Sequence, residues 1–413
     1  RQRQMCIRDS RKLGVVGVSS LDGSHGVVER LTDYALRLML AVQDRQPPPP
    51  YVITMPIPRE RAAGLVGQYQ SPEGEIAHVT ELAGTVYLQK GTFRHELRSD
   101  AQDGSLITDD VVGAGLRVQS TGDNLAIDGQ IWSRMTDQSP AECPTQWKEL
   151  IGEYGPDHNV LYIHESHGRL HCLIEWFYDY PLTQLSDTAF SFPDFGLYHG
   201  EGLHFERDAT GRIVSVVAAE VRFNRRPVGT SEGETFRITP LRPIDDALLR
   251  ESQEASPPVE TGDFRETSLI ELVTLEPKLK LDIRYASTNN FTGARFYQEP
   301  RAFLQRLAAE GVARVHRRLA ERGLGLLIHD GYRPWYVTRM FYEATPHDMK
   351  NFVAHPARGS RHNRGCAVDL SLYELASGQP IAMVSGYDEF SPRAYPLYPG
   401  GTSRQRWHRD LLR

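Results

Sequence analysis

The sequence predicts a multidomain chain in which two repeated antiparallel β modules precede an α+β domain. Three observations carry this. Two stretches repeat each other: GLVGQY at 64–69 answers to ELIGEY at 149–154, and GLRVQSTGDNLAI at 115–127 answers to GLHFERDATGRIVSV at 202–216. The register between the copies is nearly kept, as a duplicated unit requires. Inside both copies, short β-type runs such as TVYL, VLYIH and LHCLIEWF are punctuated by turns at SPEGE, STGDN and DATGR. From Asp263 onward the pattern changes to a long amphipathic helix followed by an apolar strand, which is how a helix packed on a sheet reads.

The elements follow in order. LGVVGV, residues 13–18, reads as a buried strand, LDGSHG as a turn, and the residues near Val27–Val42 as a helix with a stripe of Leu31, Tyr34, Ala35, Leu38 and Met39. One strand and one helix cannot bury a core, so residues 1–45 are read as the end of a larger domain. QPPPP at 46–50 is a stiff, extended linker. The first β module is expected over 51–137 and the second over 145–228. A linker follows over 229–262, ending in the polar, proline-containing ESQEASPPVETG. The α+β domain occupies 263–413. In it, LVTLEPKLKLDIRYA reads as turn, strand, turn. Residues 301–323 form a helix whose stripe is Leu304, Leu307, Ala308, Val312, Val315 and Leu319. LGLLI at 324–328 is a central strand ending at HDGYRP, and a helix lies near 335–343.

Composition excludes some functions. Lys and Arg number 47 against 53 Asp and Glu, a formal net charge of −6, which gives no broad electrostatic case for nucleic acid or an anionic membrane. The apolar runs are too short for a transmembrane span. Cys6, Cys143, Cys172 and Cys366 lie far apart without a CxxC, so a thiolate zinc knuckle is excluded. His164, His167 and His171 in IHESHGRLH do not form HExxH, and are read as ordinary strand and turn histidines.

Chemistry concentrates in SRHNRGCAVDL, residues 360–370. Ala367, Val368 and Leu370 suggest a buried strand with Asp369 in it. A carboxylate there is costly unless it is paired or metal-bound. His362 precedes a glycine turn that can fold the imidazole back toward Asp369. One His and one Asp offer a nitrogen and an oxygen to zinc, but a catalytic zinc usually has three protein ligands. The alternative is an aspartate satisfied by backbone donors. In HDGYRP, Arg333 precedes a proline that restricts its backbone. Its guanidinium could stabilise an oxyanion formed when water attacks an amide; the alternative is an arginine on a surface loop.

These segments, in order, resemble the D-alanyl-D-alanine dipeptidases, the VanX-type zinc peptidases, over residues 263–413. LDIRYASTNNFTGARFY (281–297) resembles their amino-terminal segment, GYRP (331–334) the segment of their transition-state arginine, SRHNRGCAVDLSLY (360–373) their SxHxxGxAxD motif, and GYDEF (386–390) the segment that receives the substrate ammonium. The resemblance implies one zinc ion on His362 and Asp369, a catalytic Arg333, substrate contacts from Ser360 and Asp388, and hydrolysis of D-Ala-D-Ala or short peptidoglycan peptides. The family completes its site with a late Glu-x-x-His that supplies base and third ligand. None follows WHRDLLR, and His408 has Gln405 three residues before it. The sequence is therefore expected to be clipped at both ends, and to bind zinc weakly as it stands. Residues 11–225 resemble, by pattern, the end of a serine β-lactamase-like protein and its following β-rich domains. That company points to a periplasmic or otherwise extracytoplasmic location. Two other readings stand beside the dipeptidase: a zinc carboxypeptidase on other wall peptides, and a non-catalytic wall-binding protein with an incomplete metal site.

Overall fold

A computed structural model of the chain describes residues 2–20, 24–91, 93–136, 139–175, 178–230 and 233–412. Residues 21–23 of the LDGSHG turn and 176–177 of LHCLIEWF lie outside the described residues. The chain forms two compact units, residues 1–139 with 175–179, and residues 140–174 with 180–413.

The first unit opens with an antiparallel hairpin of β1 (Gln2–Arg8) and β2 (Leu13–Ser19). Helix α1 (His25–Gln43) packs across it. The hairpin partner β1 was not expected. Strand β2 is not buried as its apolar run suggested: burial alternates, and Val16 and Val18 face out. A helix covers only one face of a two-stranded sheet, so the other face stays wet. The buried face of α1 is Gly26, Val28, Thr32 and Leu36; Leu31 and Met39 of the expected stripe are exposed.

After β3 (Thr54–Met55) and α2 (Arg59–Leu65) come eight consecutive strands. They are β4 (Gly67–Gln70), β5 (Ile76–Leu82), β6 (Thr85–Lys90), β7 (Phe93–Asp100), β8 (Leu106–Asp109), β9 (Ala114–Thr121), β10 (Asn124–Ile127) and β11 (Gln130–Arg134). Each pairs antiparallel with the next, and β11 returns to β4, closing a barrel. Closure removes sheet edges. Alternation along the strands points Tyr69, Val79, Leu88, Leu97, Val118, Leu125 and Trp132 inward to one core.

The second unit begins with α3 (Thr145–Lys148) and a sheet of β12 (Gly152–Tyr154), β13 (Leu161–Ser166), β14 (Arg169–Ile174) and β15 (Tyr178–Pro181), in that order. A second sheet holds β16 (Thr183–Gln184), β17 (Ala189–Ser191), β18 (Gly202–Arg207), β19 (Ile213–Ala218) and β20 (Val221–Asn224). A bridge between Tyr154 and Arg225 links the two sheets. The motifs that repeat in sequence make the same bonds in both units. Tyr69 donates to Leu65 O while Arg134 donates to Val66 O and Tyr69 Oη; Tyr154 donates to Leu150 O while Arg225 donates to Ile151 O and Tyr154 Oη. In each case the guanidinium also lies over the tyrosine ring. His164 and His171 face each other across β13 and β14, and His167 takes a left-handed turn position.

Residues 229–262, expected as a linker, carry helix α4 (Asp246–Glu254), N-capped by Asp245, and place Ile238 in an aromatic core. Beyond them lie β21 (Leu269–Glu271), α5 (Leu272–Leu275), β22 (Lys280–Leu281), β23 (Phe303–Gln305), α6 (Arg306–Ala320), β24 (Leu324–Asp330), α7 (Trp335–Ala344), β25 (Asp369–Glu374) and α8 (Ser403–Leu411). The three-stranded sheet runs β22-β24-β25, with β24 central and wholly buried. Helix α6 packs on β24 through only part of the expected stripe, Val312 and Leu319. Leu307 and Val315 are 61% and 44% exposed, and the buried face is Ala309, Val312, Ala313, His316 and Leu319. The helix starts at Arg306, so Leu304 belongs to β23, and two alanines let the helix sit close to the sheet.

Candidate active site

The site forms where two neighbouring strands meet. β24 and β25 are antiparallel, and their register sets Asp330 opposite Asp369. A register shift between Ile328 and Asp330 accompanies this pairing; such irregularities re-aim side chains. The chain leaving β24 turns through Gly331 and Tyr332 to Arg333, and Pro334 starts α7.

Asp330 is fully buried. It accepts from Gly331 N (2.9 Å), Tyr297 Oη (2.8 Å) and Arg333 Nε (2.9 Å). Burial outweighs these donors and holds its pKa above the ordinary carboxylate value. Arg333 is therefore no loop arginine. Its guanidinium lies under Phe341 and Tyr285, with centroids at 4.8 and 5.3 Å, and Nη2 reaches toward Asp369 Oδ2 at 3.4 Å.

His362 sits on a single turn, Arg361–Arg364, capped by Ser360, whose Oγ accepts from His362 N. Asn363 completes a capping box and donates to Arg333 O and Thr338 Oγ1. Gly365 ends the turn at φ +66°, where a Cβ would meet Leu269 Cδ2 at 2.7 Å. The imidazole is fixed by Nδ1–H donating to Gly331 O at 2.8 Å, with Asp330 Oδ2 3.6 Å away. This leaves Nε2 facing Asp369 Oδ1 at 3.4 Å. Bond lengths of about 2.0–2.1 Å around a tetrahedral ion set ligand atoms roughly 3.3–3.4 Å apart, so the pair fits a zinc edge. A backbone-oriented Nδ1–H is the usual companion of a metal-bound Nε2. Asp330 is the third group in reach: ligand atoms of Asp330, His362 and Asp369 all lie within 4.8 Å of one another. Its oxygens are already committed to Arg333, Tyr297 and Gly331, which suits it better to orienting the imidazole and guanidinium. Burial works against the charge on His362 and on Asp369, yet their pairing raises the pKa of His362 and lowers that of Asp369.

Asp388 occupies a left-handed position, φ +52°, in the turn after Gly386. The buried Tyr285 hydroxyl donates to its Oδ2 at 2.5 Å. Burial, then the nearby charge of Asp369, pushes the Asp388 pKa up to about 7. Asp388, Asp369, His329 and Arg284 line one cleft of about 690 Å³. At its wall His329 contacts Asp282 at 3.4 Å, and that contact leads the effects that bring Asp282 down to about 2. The structure thus brings His362, Asp369, Arg333 and Asp388 together, while the Ser360 hydroxyl is used as a helix cap. His408 is buried in α8, its pKa pushed down to about 4 by burial, and stands outside this cluster.

Sequence reasoning missed Asp330, Tyr285 and Tyr297. Asp330 carried a signal, since it is the acid ending the apolar strand in HDGYRP. The tyrosines stand in the quoted LDIRYASTNNFTGARFY, but nothing in that segment marks their hydroxyls, whose partners lie 103 and 33 residues away in the chain.

Residues 265–413 match the family model described as D-ala-D-ala dipeptidase, peptidase M15. The chain is similar to the D-alanyl-D-alanine dipeptidase of Escherichia coli (strain K12), 32% identical over 146 residues, covering 35% of this chain and 74% of that protein. It is also similar to that of Streptomyces coelicolor, 32% identical over 150 residues, covering 32% and 72%. The dipeptidase of Enterococcus faecium is 28% identical over 153 residues, covering 33% and 76%. Through its C-terminal α+β domain, the chain belongs to the D-alanyl-D-alanine dipeptidase family.

Proposed function

We propose that the protein hydrolyses D-alanyl-D-alanine to two molecules of D-alanine in a zinc-dependent reaction. One observation carries the reading: His362 Nε2 faces Asp369 Oδ1 at 3.4 Å, beside a buried guanidinium and at a cleft that also holds Asp388. His362 and Asp369 would hold the zinc. When bound, zinc supplies Lewis acidity that polarises an amide carbonyl and acidifies water.

Two further side chains add the parts they can supply, with the third zinc ligand and the general base assigned to none of the residues named here. Arg333 holds its charge on a frame fixed by Asp330 and two aromatic rings. A guanidinium so fixed stabilises negative charge on an amide oxygen without reorganising. Asp388 receives the substrate ammonium, with Tyr285 orienting the carboxylate. A partly buried carboxylate, costly to leave unpaired, favours a cation that pairs with it. Substrates with a free amino terminus are therefore preferred, which makes the enzyme a dipeptidase.

The test follows D-alanine release by the full-length protein. Activity is expected to vanish with a chelator and return with zinc, and to be lost in His362→Ala and Asp369→Asn. Zinc-loaded protein that ignores the dipeptide and trims longer wall peptides would instead establish the carboxypeptidase reading. Peptidoglycan binding without hydrolysis of either would establish the non-catalytic one.

A further inference from the structure

The carboxylate assigned to the substrate ammonium is braced from outside the matched domain. Two short pieces upstream of residue 265, Gly229–Thr230 and Thr235–Ile238, lie against the segments that carry Asp388 and its partner Tyr285. On the Asp388 side, Glu389 is buried and accepts from Gly386 N (3.0 Å) and Ser391 Oγ (2.5 Å), pinning the turn. Gly229 approaches it so closely that a Cβ would lie 2.2 Å from Glu389 Oε1. Arg393 pairs with Glu389 and donates to Thr230 O at 3.1 Å. Phe236 packs on Phe390, centroids 5.4 Å apart, and Phe390 packs on Phe291 at 4.8 Å. On the Tyr285 side, Ile238 N donates to Phe291 O (2.9 Å), Arg237 to Thr288 O (2.7 Å) and Arg284 to Thr235 Oγ1 (3.3 Å). The same upstream pieces thus clamp both halves of the Tyr285–Asp388 hydrogen bond.

We infer that Gly229, Thr230 and Thr235–Ile238 are positioning residues for ammonium recognition, so that the preference for a free amino terminus is set partly upstream of the peptidase domain. The inference rests on the assignment of Asp388 given above. The geometry supports it at a second level. Asp388 holds a left-handed backbone conformation, φ +52°, which is uncommon for residues other than glycine, although Asp tolerates it better than most, and which packing around the turn helps to hold. The groups that supply this support, Glu389 and Phe390, are the ones the upstream pieces touch.

The experiment compares full-length wild type with Phe236→Ala, Gly229→Val and the conservative Phe236→Leu. The substrates are D-Ala-D-Ala and its N-acetyl form. For the free dipeptide, Phe236→Ala and Gly229→Val are expected to raise KM about tenfold with kcat within about twofold, the pattern of lost ground-state binding. The ratio against the N-acetyl form falls accordingly, zinc affinity stays unchanged, and Phe236→Leu recovers most of the loss. Hydrogen exchange in 386–390 and 284–291 is read in the same proteins, and should quicken in Phe236→Ala. Folded variants that keep both the wild-type ratio and the wild-type exchange overturn the inference. If Gly229→Val does not fold, the Phe236 pair decides. If wild type acts on neither peptide, the functional reading fails, and the exchange data alone decide whether the bracing exists.

Discussion

At the scale of single residues, the site is a set of buried charges that hold one another. Asp388 keeps its proton in the folded state to about pH 7 because burial and then Asp369 disfavour the anion. An unfolded aspartate loses its proton near pH 4. Protonation of Asp388 therefore contributes stability that is fully present below about pH 4 and is lost as pH rises through about 7, on the order of 4 kcal/mol at most. Asp388→Asn should flatten this part of the profile, so its melting temperature falls less than wild type between pH 5 and 8. Identical slopes in the two proteins would remove Asp388 as the source. The same group gives affinity the opposite dependence: binding of a free-amine dipeptide should strengthen as pH passes about 7, and the N-acetyl form should not show it. Arg333 tests the network differently. Its removal strands Asp330, which is buried. Arg333→Ala should cost about 3–5 kcal/mol in denaturant unfolding, beyond any effect on turnover.

At the scale of elements, the site depends on a turn four residues long. Ser360 and Asn363 cap it, and Gly365 closes it at φ +66°. Ser360→Ala should cost about 1 kcal/mol and weaken zinc binding several-fold, because His362 loses its backbone anchor; Ser360→Thr should keep both. Equal zinc affinity in Ser360→Ala would show that the Gly331 carbonyl alone fixes the imidazole. This turn was legible in part, through a histidine followed by a turn glycine and then an aspartate in an apolar run; Ser360, expected to contact substrate, instead caps the turn. Strand β24 and helix α7 were legible for a related reason, since apolar runs bounded by turn residues mark them. The face of α6 was legible only in part. His316 lies on it, its Nδ1 accepting from Leu326 N at 3.2 Å, and a hydrophobic pattern has no way to place a histidine inside. Strand β1 was missed because a polar hairpin partner shows no apolar alternation.

At the scale of the molecule, residues 140–174 and 180–413 act as one unit through a carboxylate. Glu165, on β13, is buried and accepts from Gly168 N (2.7 Å), Ser403 N (2.8 Å) and Ser403 Oγ (2.7 Å). Ser403 is the first residue of α8, so the charge sits on the positive end of that helix. The Glu165 backbone is also tied, its N–H donating to Gly401 O (3.1 Å) and its carbonyl accepting from Arg406 (2.8 Å). None of this was legible, because the partners lie 238 residues apart and Glu165 reads as one polar residue in IHESHG. Helix α8 and its C-cap in turn line the cleft through Gln405, Arg409 and Leu412, so the second β module holds one wall of the cleft in place. Hydrogen bonds to charged groups contribute roughly 1.5–3 kcal/mol each, and Glu165→Ala removes several while stranding the helix N-terminus. It should lower the unfolding transition of this unit by about 3 kcal/mol or more. Exchange should quicken together in β13 and in α8, and Glu165→Gln should do less. If α8 keeps its protection in Glu165→Ala, the helix is held by the peptidase domain alone, and the second β module is a neighbour of the cleft with no part in its wall.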